Sequence, residues 1–385
     1  MTPSARLQSA IEILDLIIES ARENGAAADT ILAQWFKTRR FVGSKDRRAI
    51  REHVYAAIRA FGTRPHSGRA AFLGMDKALR PLFDGSPYGP AEFRKSDAVA
   101  GPSPLSAWLA GLIDPAEHKA LLDRAPLDLR VNILKAKRDD VLAEFPGAEA
   151  IGRDGVRLPE NLVVEGLPMW HEGLIDIQDA GSQAVSQTCR AEAGMIVVDL
   201  CAGSGGKTLA LAADMGGGEG ITASDTNRDR IQRLQPRAWR LGAGEIDARL
   251  LDPGKEAEAL EDLVGKTDIV LVDAPCSGSG TWRRNPEARW RLTPTRLDQV
   301  KATQAHVLAL GASLVKSGGT LVYAVCSLID AEGADQVSAF LSANRGWRTD
   351  PVDVGMGREH GPGLILTPSH DKVDGFFVAR LTRSC

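Results

Sequence analysis

The segment VVDLCAGSGGKT (197–208) decides the fold of this chain of 385 residues. It begins with a short, continuous apolar run, which is typical of a strand in a parallel sheet that is covered on both faces. A glycine-rich turn follows the strand and leads into a helical pattern. A strand, a glycine-rich turn and a helix in this order are typical of doubly wound α/β folds, whose ligands bind beyond the carboxyl ends of the strands.

Strand and helix signals alternate on both sides of this turn. Short apolar runs predict strands at residues 195–200, 220–224, 248–251, 268–272, 320–325 and 375–381. The clearest helical pattern between them covers residues 297–316. This alternation predicts a doubly wound, Rossmann-like α/β sheet over residues 171–385.

Three kinds of ligand can be tested against the glycine-rich turn. A phosphate-binding P-loop needs glycine where this chain has Cys201, and a dinucleotide fingerprint that starts at Gly203 needs glycine where it has Thr208. S-adenosylmethionine (SAM) carries an ammonium and a carboxylate, which the backbone of a glycine turn and a helix N-terminus can approach. Asp225, at the end of the next strand, suits the two ribose hydroxyls. We therefore predict SAM as the cofactor; a tight turn without a ligand is the alternative.

Two cysteines stand at the ends of two consecutive predicted strands. Asp273 ends one strand and is followed by Ala-Pro and Cys276, and Cys326 ends the next. A thiolate that adds to C6 of cytosine makes C5 nucleophilic enough to accept a methyl group, and the adduct later loses the C5 proton and the thiol. Asp273 is the candidate acid near N3 of the base. The alternative is that each cysteine is a small buried residue, as cysteine often is.

These segments resemble the RsmB/Sun family of RNA 5-methylcytosine methyltransferases. The resemblance rests on residues 199–208, 273–290 and 323–327 and covers about residues 165–385. It implies that Cys326 is the nucleophile and that Cys276 assists release of the methylated product, with Cys276 as nucleophile the alternative. It also implies cofactor contacts from Cys201, Ala202, Gly203, Ser204, Gly205, Gly206, Lys207, Asp225, Asp252 and Asp273.

Two positions depart from the family pattern. The family usually has Ala-Pro where this chain has Gly203-Ser204, and threonine where it has Val325. Neither departure removes a reacting group, so we expect activity. The alternative that the departures motivate is a catalytically silent RNA-binding assembly factor.

The N-terminal part carries the positive charge of the chain. The whole chain has a net charge of −3. Residues 1–80 carry a net charge of +6, and the segment 37–59 within them by itself carries +6. Helical patterns over residues 5–23, 31–36 and 44–61 indicate an all-α domain. Residues 1–62 loosely resemble the NusB-like RNA-binding domain of the rRNA branch, and residues 126–170 are placed like the small RRM-like insert. We therefore expect domains at 1–125, 126–170 and 171–385.

A basic and aromatic segment follows Cys276, and we predict that it contacts RNA. Phosphate contacts are expected from Arg283 and Arg284, and further basic or stacking side chains are Trp282, Arg289, Trp290 and Arg291. A mixed surface loop is the alternative. A cytosine must leave any base stack before its C6 can be attacked, so the predicted target is a single-stranded or loop cytosine of 16S rRNA. A tRNA substrate stays open.

Other classes of protein fit the composition poorly. The five cysteines form no C-x-x-C pair and the seven histidines form no zinc pattern, so we expect no disulfide framework and no bound metal. No apolar run approaches the roughly 18 residues of a membrane span. A cytoplasmic monomer is expected.

Overall fold

The computed structural model describes residues 1–23, 25–159 and 162–385, and these form two compact units. Unit 1 consists of Met1–Arg124 and Thr281–Pro294, and unit 2 of Ala125–Gly280 and Thr295–Cys385. The first boundary lies one residue before the predicted end of the first domain. The return of residues 281–294 to unit 1 departs from the predicted boundaries, which assigned these residues to the third domain.

Unit 1 is helical, as its apolar spacing predicts. Its core includes the inner face of the third helix, where Ile50, Val54, Ala57 and Ile58 are fully buried. The α-helices described in this unit are α1 (Pro3–Arg22), α2 (Ala28–Thr38), α3 (Ser44–Ala60), α4 (Gly68–Met75) and α5 (Ala107–Ala110), with 3-10 turns at Lys77–Leu82, Pro115–Glu117 and Pro286–Arg291.

Unit 2 begins with a small antiparallel sheet that has its own apolar core. Its elements are β1 (Leu127–Val131), α6 (Arg138–Glu144), β2 (Glu149–Ile151), β3 (Gly155–Leu158), α7 (Pro168–His171) and β4 (Ile175–Ile177), with a 3-10 turn at Val164–Gly166. The strand order is β2-β3-β1-β4. The sheet reaches beyond the predicted end at residue 170, because β4 pairs with β1.

The large sheet of unit 2 contains the glycine-rich segment 197–208. Its elements are α8 (Ala180–Thr188), β5 (Val197–Asp199), α9 (Gly206–Met215), β6 (Ile221–Asp225), α10 (Arg228–Ile231), α11 (Leu234–Leu241), β7 (Asp247–Leu250), α12 (Glu256–Ala259), β8 (Thr267–Asp273), α13 (Pro294–Leu314), β9 (Val315–Val325), α14 (Ala334–Ala343), β10 (Trp347–Asp350), β11 (Arg358–His360), β12 (Gly363–Leu366) and β13 (Phe376–Arg383). Further 3-10 turns lie at Glu261–Leu263, Ser279–Thr281 and Asp330–Glu332.

The order of the strands confirms the predicted fold class. Strands β7-β6-β5-β8-β9 are parallel, and β13, β12 and β11 continue the sheet in antiparallel pairs, with β10 also paired to β13. The central strand β5 pairs with both β6 and β8, so the strand order reverses beside it. The carboxyl ends of the parallel strands meet at one edge, which is where ligands of such folds bind.

Among the residues that the structure describes, none of the helices is both long enough and apolar enough to cross a membrane.

Candidate active site

The glycine-rich turn connects β5 to α9 at the reversal point of the sheet. Gly203 and Gly205 have positive φ angles of 58° and 83°, which glycine adopts without strain. The backbone N–H of Gly203 donates to Asp225 Oδ2 at 2.8 Å, and that of Asn227 donates to Oδ1 at 2.7 Å. Asp225 therefore orders the turn, and its predicted bond to a ribose stays a prediction.

An arginine supports the turn where the family pattern has proline. The Arg237 guanidinium donates to the carbonyl oxygen of Ser204 at 2.5 Å and to Asp176 Oδ2 at 2.6 Å. Asp176 is buried and also accepts from Arg240. Arg237 thus links the Gly203-Ser204 turn to Asp176 of the small sheet through two charge-assisted hydrogen bonds.

Asp199 ends β5 and is completely buried. Its Oδ2 accepts from the Thr208 hydroxyl at 2.6 Å, whereas its Oδ1 has no hydrogen-bond partner in the described part of the chain. Burial raises the pKa of this carboxyl to about 7, although the Thr208 hydrogen bond acts in the opposite direction. A buried acceptor of this kind is ready to receive a donor from a ligand.

A cavity of about 230 Å³ opens between the turn and the end of β8. Six of its lining residues were predicted as cofactor contacts: Cys201, Ala202, Ser204, Gly206, Lys207 and Asp273. Three more were not singled out from the sequence: Ser182, Asp199 and Arg230. Asp252 is exposed and does not line this cavity, and neither does Asp225.

Lys207 joins the turn to the neighbouring strand end. Its ammonium donates to Asp273 Oδ2 at 2.6 Å. Burial alone lowers the pKa of Lys207, but attraction and hydrogen bonding to Asp273 outweigh it, with a contribution from Cys326, so that the pKa is raised. One buried cation therefore lies within electrostatic reach of both the acid and the second cysteine.

The structure brings the two strand-end cysteines into contact. Cys276 Sγ and Cys326 Sγ are 3.2 Å apart. The hydrogen bond with Cys326, burial and the nearby negative charge of Glu332 raise the pKa of the Cys276 thiol well above its ordinary value. Burial, followed by three nearby carboxylates, does the same for Cys201. Cys276 and Cys201 are therefore held as thiols.

Sequence reasoning missed a buried carboxylate behind the cysteine pair. Glu332 is fully buried at the end of the 3-10 turn that follows β9, and it accepts hydrogen bonds from Ser277 and Ser327. An acid in a run of otherwise mixed residues gives no local signal of such burial. Asp199 did give a local signal of burial, because it is a charged residue in an otherwise apolar strand. The described residues contain no group of His, Cys, Asp and Glu that could hold a metal ion.

The arginine-rich segment after Cys276 has a structural task within unit 1. Arg289 Nη2 donates to the carbonyl oxygens of Ile58 at 2.7 Å and Phe61 at 3.2 Å, and Trp290 Nε1 donates to Phe61 at 2.5 Å. These carbonyls lie at the C-terminal end of α3, where a helix leaves acceptors unpaired and favours a cation. Arg289 is consequently a helix cap.

The predicted RNA-facing rim is therefore wrong for three of its members, because Trp282, Arg289 and Trp290 are buried. Arg291 is half-buried and donates to a backbone carbonyl of the same unit. Arg283 is also buried and Arg284 is half-buried. Their contact with RNA stays a prediction that burial does not favour.

The sheet, its glycine turn, the acid at the end of β6 and the antiparallel β13 beside β9 together define the Rossmann-like fold of SAM-dependent methyltransferases. Residues 187–382 match a family described as 16S rRNA methyltransferase RsmB/F. The chain belongs to this family.

Individual relatives agree with this family. The probable ribosomal RNA small subunit methyltransferase B of Synechocystis sp. is 36% identical over 273 residues, which are 67% of this chain and 60% of that protein. The ribosomal RNA small subunit methyltransferase B of Serratia proteamaculans is 32% identical over 72% of this chain and 66% of that protein. The chain thus matches about 60–66% of the length of these curated relatives. The crystal structure of PH0851 is similar in fold, with a TM-score of 0.76 over 99% of both chains at 22% identity.

Proposed function

We propose that this protein transfers a methyl group from SAM to C5 of a cytosine in small-subunit ribosomal RNA. One observation carries the proposal: two thiols lie 3.2 Å apart at the ends of neighbouring parallel strands, beside a partly buried lysine–aspartate pair. Methylation of an exocyclic amine needs no thiol, whereas methylation of a ring carbon needs a covalent nucleophile. The names of the family and of its relatives support ribosomal RNA as the substrate.

The cavity beside the turn fits SAM. The unpartnered Asp199 Oδ1 suits its ammonium, and Arg230 with the N-terminus of α9 suits its carboxylate. The turn from Cys201 to Lys207 would hold the methionine end, and Asp225 the ribose. When bound, SAM supplies a methyl group on a positively charged sulfonium. The exposed Asp252 has no contact that supports its predicted part in cofactor binding.

Cys326 is the proposed nucleophile. Its thiolate forms a bond to C6 of the base, and the electron pair of the C5–C6 double bond becomes available at C5, which takes the methyl group. Negative charge develops at N3 and O2 of the base during this addition. Asp273 is proposed to face N3, and the Lys207 ammonium beside it stabilises the developing charge, an effect that a preorganised buried cation provides efficiently.

Cys276 is proposed to act after the adduct has formed. The largest cause of its raised pKa is the hydrogen bond with Cys326, and this bond is lost when the Cys326 sulfur becomes a thioether. Loss of this bond lowers the pKa of Cys276 relative to the free enzyme; the thiol gives its proton to solvent, and the resulting thiolate accepts the C5 proton. Loss of that proton expels Cys326 and restores the free enzyme. The order of events agrees with the product-release role that the family resemblance implies.

Trapping the adduct tests these roles. Cys276→Ala should accumulate a covalent RNA–protein complex that is visible on a denaturing gel, and Cys326→Ala should form none. An adduct that depends on Cys276 and persists in Cys326→Ala would reverse the two assignments. Failure of Cys276→Ala to form an adduct with any RNA, together with no SAM binding by the wild type in calorimetry, would favour a silent RNA-binding factor.

Bisulfite sequencing identifies the substrate. In a deletion strain, one cytosine of 16S rRNA should lose its methylation, and a plasmid that carries the wild-type gene should restore it. Loss at a tRNA position with unchanged rRNA would replace ribosomal RNA by tRNA as the substrate. The same experiment names the modified nucleotide.

A further inference from the structure

Glu332 lies at the centre of a buried polar cluster behind the cysteine pair. Its Oε1 accepts from the backbone N–H of Ser277 at 2.7 Å and from Gln304 Nε2 at 3.0 Å. Its Oε2 accepts from the hydroxyls of Ser327 at 2.6 Å and Ser277 at 2.5 Å. Four donors thus converge on one carboxylate that has no exposed surface.

The positions of these donors in the sequence are informative. Ser277 directly follows Cys276, and Ser327 directly follows Cys326. One carboxylate therefore binds the residue after each reactive cysteine, although the two cysteine segments are 50 residues apart in the chain.

Neighbouring contacts fix the same two segments at their backbones. Gly280 N donates to the carbonyl oxygen of Cys326 at 3.0 Å, and the hydroxyls of Ser279 and Ser327 are 2.9 Å apart. Gln304, from α13, also donates to the carbonyl oxygen of Pro275 at 3.0 Å. The cluster is a continuous polar network, in which removal of one member leaves other buried groups without partners.

We infer that Glu332 is a positioning residue, which holds Cys276 in contact with Cys326 by binding Ser277 and Ser327. The functional consequence of this positioning rests on the proposed methyl transfer, whereas the geometry does not. The distance between two reacting groups strongly affects their rate, so a loosened pair should react more slowly with each other.

The charge of Glu332 gives the same residue a second effect. The side chains that bind its carboxylate are neutral hydroxyl and amide groups, so they do not cancel its negative charge. The groups that act on the Cys276 thiol are the Cys326 sulfur, this carboxylate and the backbone N–H of Gly278, of which the first two oppose its ionisation. Tyr323 packs against the cluster and donates its hydroxyl to the carbonyl oxygen of Glu332 at 2.7 Å.

Thiol chemistry tests the inference without RNA. Glu332→Gln keeps the size and one acceptor oxygen but removes the charge, and Asp330→Asn removes an exposed charge from the same 3-10 turn as a matched control. Alkylation of Cys276 by iodoacetamide is followed against pH by mass spectrometry of its peptide. We expect the midpoint to fall in Glu332→Gln, because a charge that opposes ionisation of the thiol is removed, and to stay unchanged in Asp330→Asn.

A second measurement reports position rather than charge. Diamide takes two electrons and two protons from a pair of thiols and leaves a disulfide. The Ser277→Ala, Ser327→Ala double variant keeps Glu332 and removes its hydroxyl donors, so the disulfide between Cys276 and Cys326 should form at least about five-fold more slowly. Glu332→Asp, which shortens the side chain, should give an intermediate rate.

The outcomes separate a positioning role from general stabilisation. A lower melting temperature with an unchanged Cys276 profile and an unchanged disulfide rate would overturn the inference. If Glu332→Gln does not fold, the serine double variant decides, and an unchanged disulfide rate there overturns the inference too. Because neither readout uses RNA, a failure of rRNA methylation in the wild type would reject the proposed function while the role of Glu332 is still decided.

Discussion

The two halves of the candidate site are held in place by different means. The cofactor half is built around one continuous segment, the turn 201–207, whose shape comes from positive φ angles, two backbone bonds to Asp225 and the bond from Arg237 to Ser204. The cysteine half consists of two segments 50 residues apart that meet through buried side chains, above all Glu332. A single substitution in the turn can change its conformation, whereas a polar network can be disrupted at any one of its several members.

The substitution with the largest expected effect should abolish the function of the cysteine half and leave that of the cofactor half unchanged. Cys326→Ala should reduce methyl transfer to rRNA by on the order of 10⁴-fold or more, because it removes the covalent nucleophile. SAM affinity, measured by calorimetry, should stay within about two-fold of the wild type, since the turn forms without the cysteine pair. A parallel loss of SAM binding would show that the two halves are not independent.

A substitution of Lys207 should affect both halves of the site, because Lys207 belongs to the turn and contacts Asp273 beside the cysteine pair. Lys207→Met removes the ammonium beside Asp273 and should lower the rate of methyl transfer by about 10²–10³-fold. SAM affinity should fall as well, because Lys207 lines the cavity and belongs to the turn that is proposed to hold the methionine end. Lys207→Arg keeps the charge and should recover part of both losses. A variant that loses rate and keeps full affinity would place Lys207 in the cysteine half alone.

The sequence predicts the local parts of the site far better than the contacts between them. Periodicity and turn chemistry are local, so the strand ends, the glycine turn and the positions of Asp225, Asp273, Cys276 and Cys326 can be placed from neighbouring residues. Strands β10 to β12 are not predicted from the sequence, because they are short and join the sheet only by tertiary pairing. Glu332 could not be predicted because two of its donors, Ser277 and Gln304, come from segments that are distant in the chain.

Arginine shows the same limit in unit 1. The basic segment 37–59 and the arginines after Cys276 read alike as charge, but their burial differs: Arg48 and Arg51 are exposed on α3, whereas Arg289 caps the end of that helix from 230 residues away. Charge can be counted from a sequence. Whether a guanidinium meets water or a helix terminus depends on a contact that is distant in the chain.

A smaller effect concerns the buried carboxylate of the cofactor half. The pKa of Asp199 is raised to about 7 by burial, so the folded state retains a proton that the unfolded state releases near pH 4. The stability that this proton confers is complete below about pH 4 and is lost as pH rises through 7. The free energy of unfolding should therefore fall with pH by up to a few kcal/mol in the wild type without SAM.

Asp199→Asn is the matched variant for this pH dependence. It keeps the size of the side chain and cannot ionise, so its unfolding free energy, from urea titrations at pH 5 and pH 8, should change less with pH than that of the wild type. Equal changes in both proteins would assign the pH dependence to other groups. The cysteine half should not respond, so the Cys276 alkylation profile should be the same in both.

The smallest expected effect concerns the contribution of backbone geometry to the shape of the turn. At Gly205, φ is 83° and an added Cβ would lie 2.0 Å from Leu234 Cδ1, whereas at Gly206 an added Cβ would meet nothing within 4 Å. Gly205→Ala should therefore lower the free energy of unfolding by about 1–2 kcal/mol, and Gly206→Ala, at the first residue of α9, should leave it unchanged or slightly higher. Urea unfolding without SAM measures both. Because the residues are adjacent and lose similar chain entropy on folding, equal losses would mean that neither the left-handed backbone at Gly205 nor its close approach to Leu234 constrains the turn.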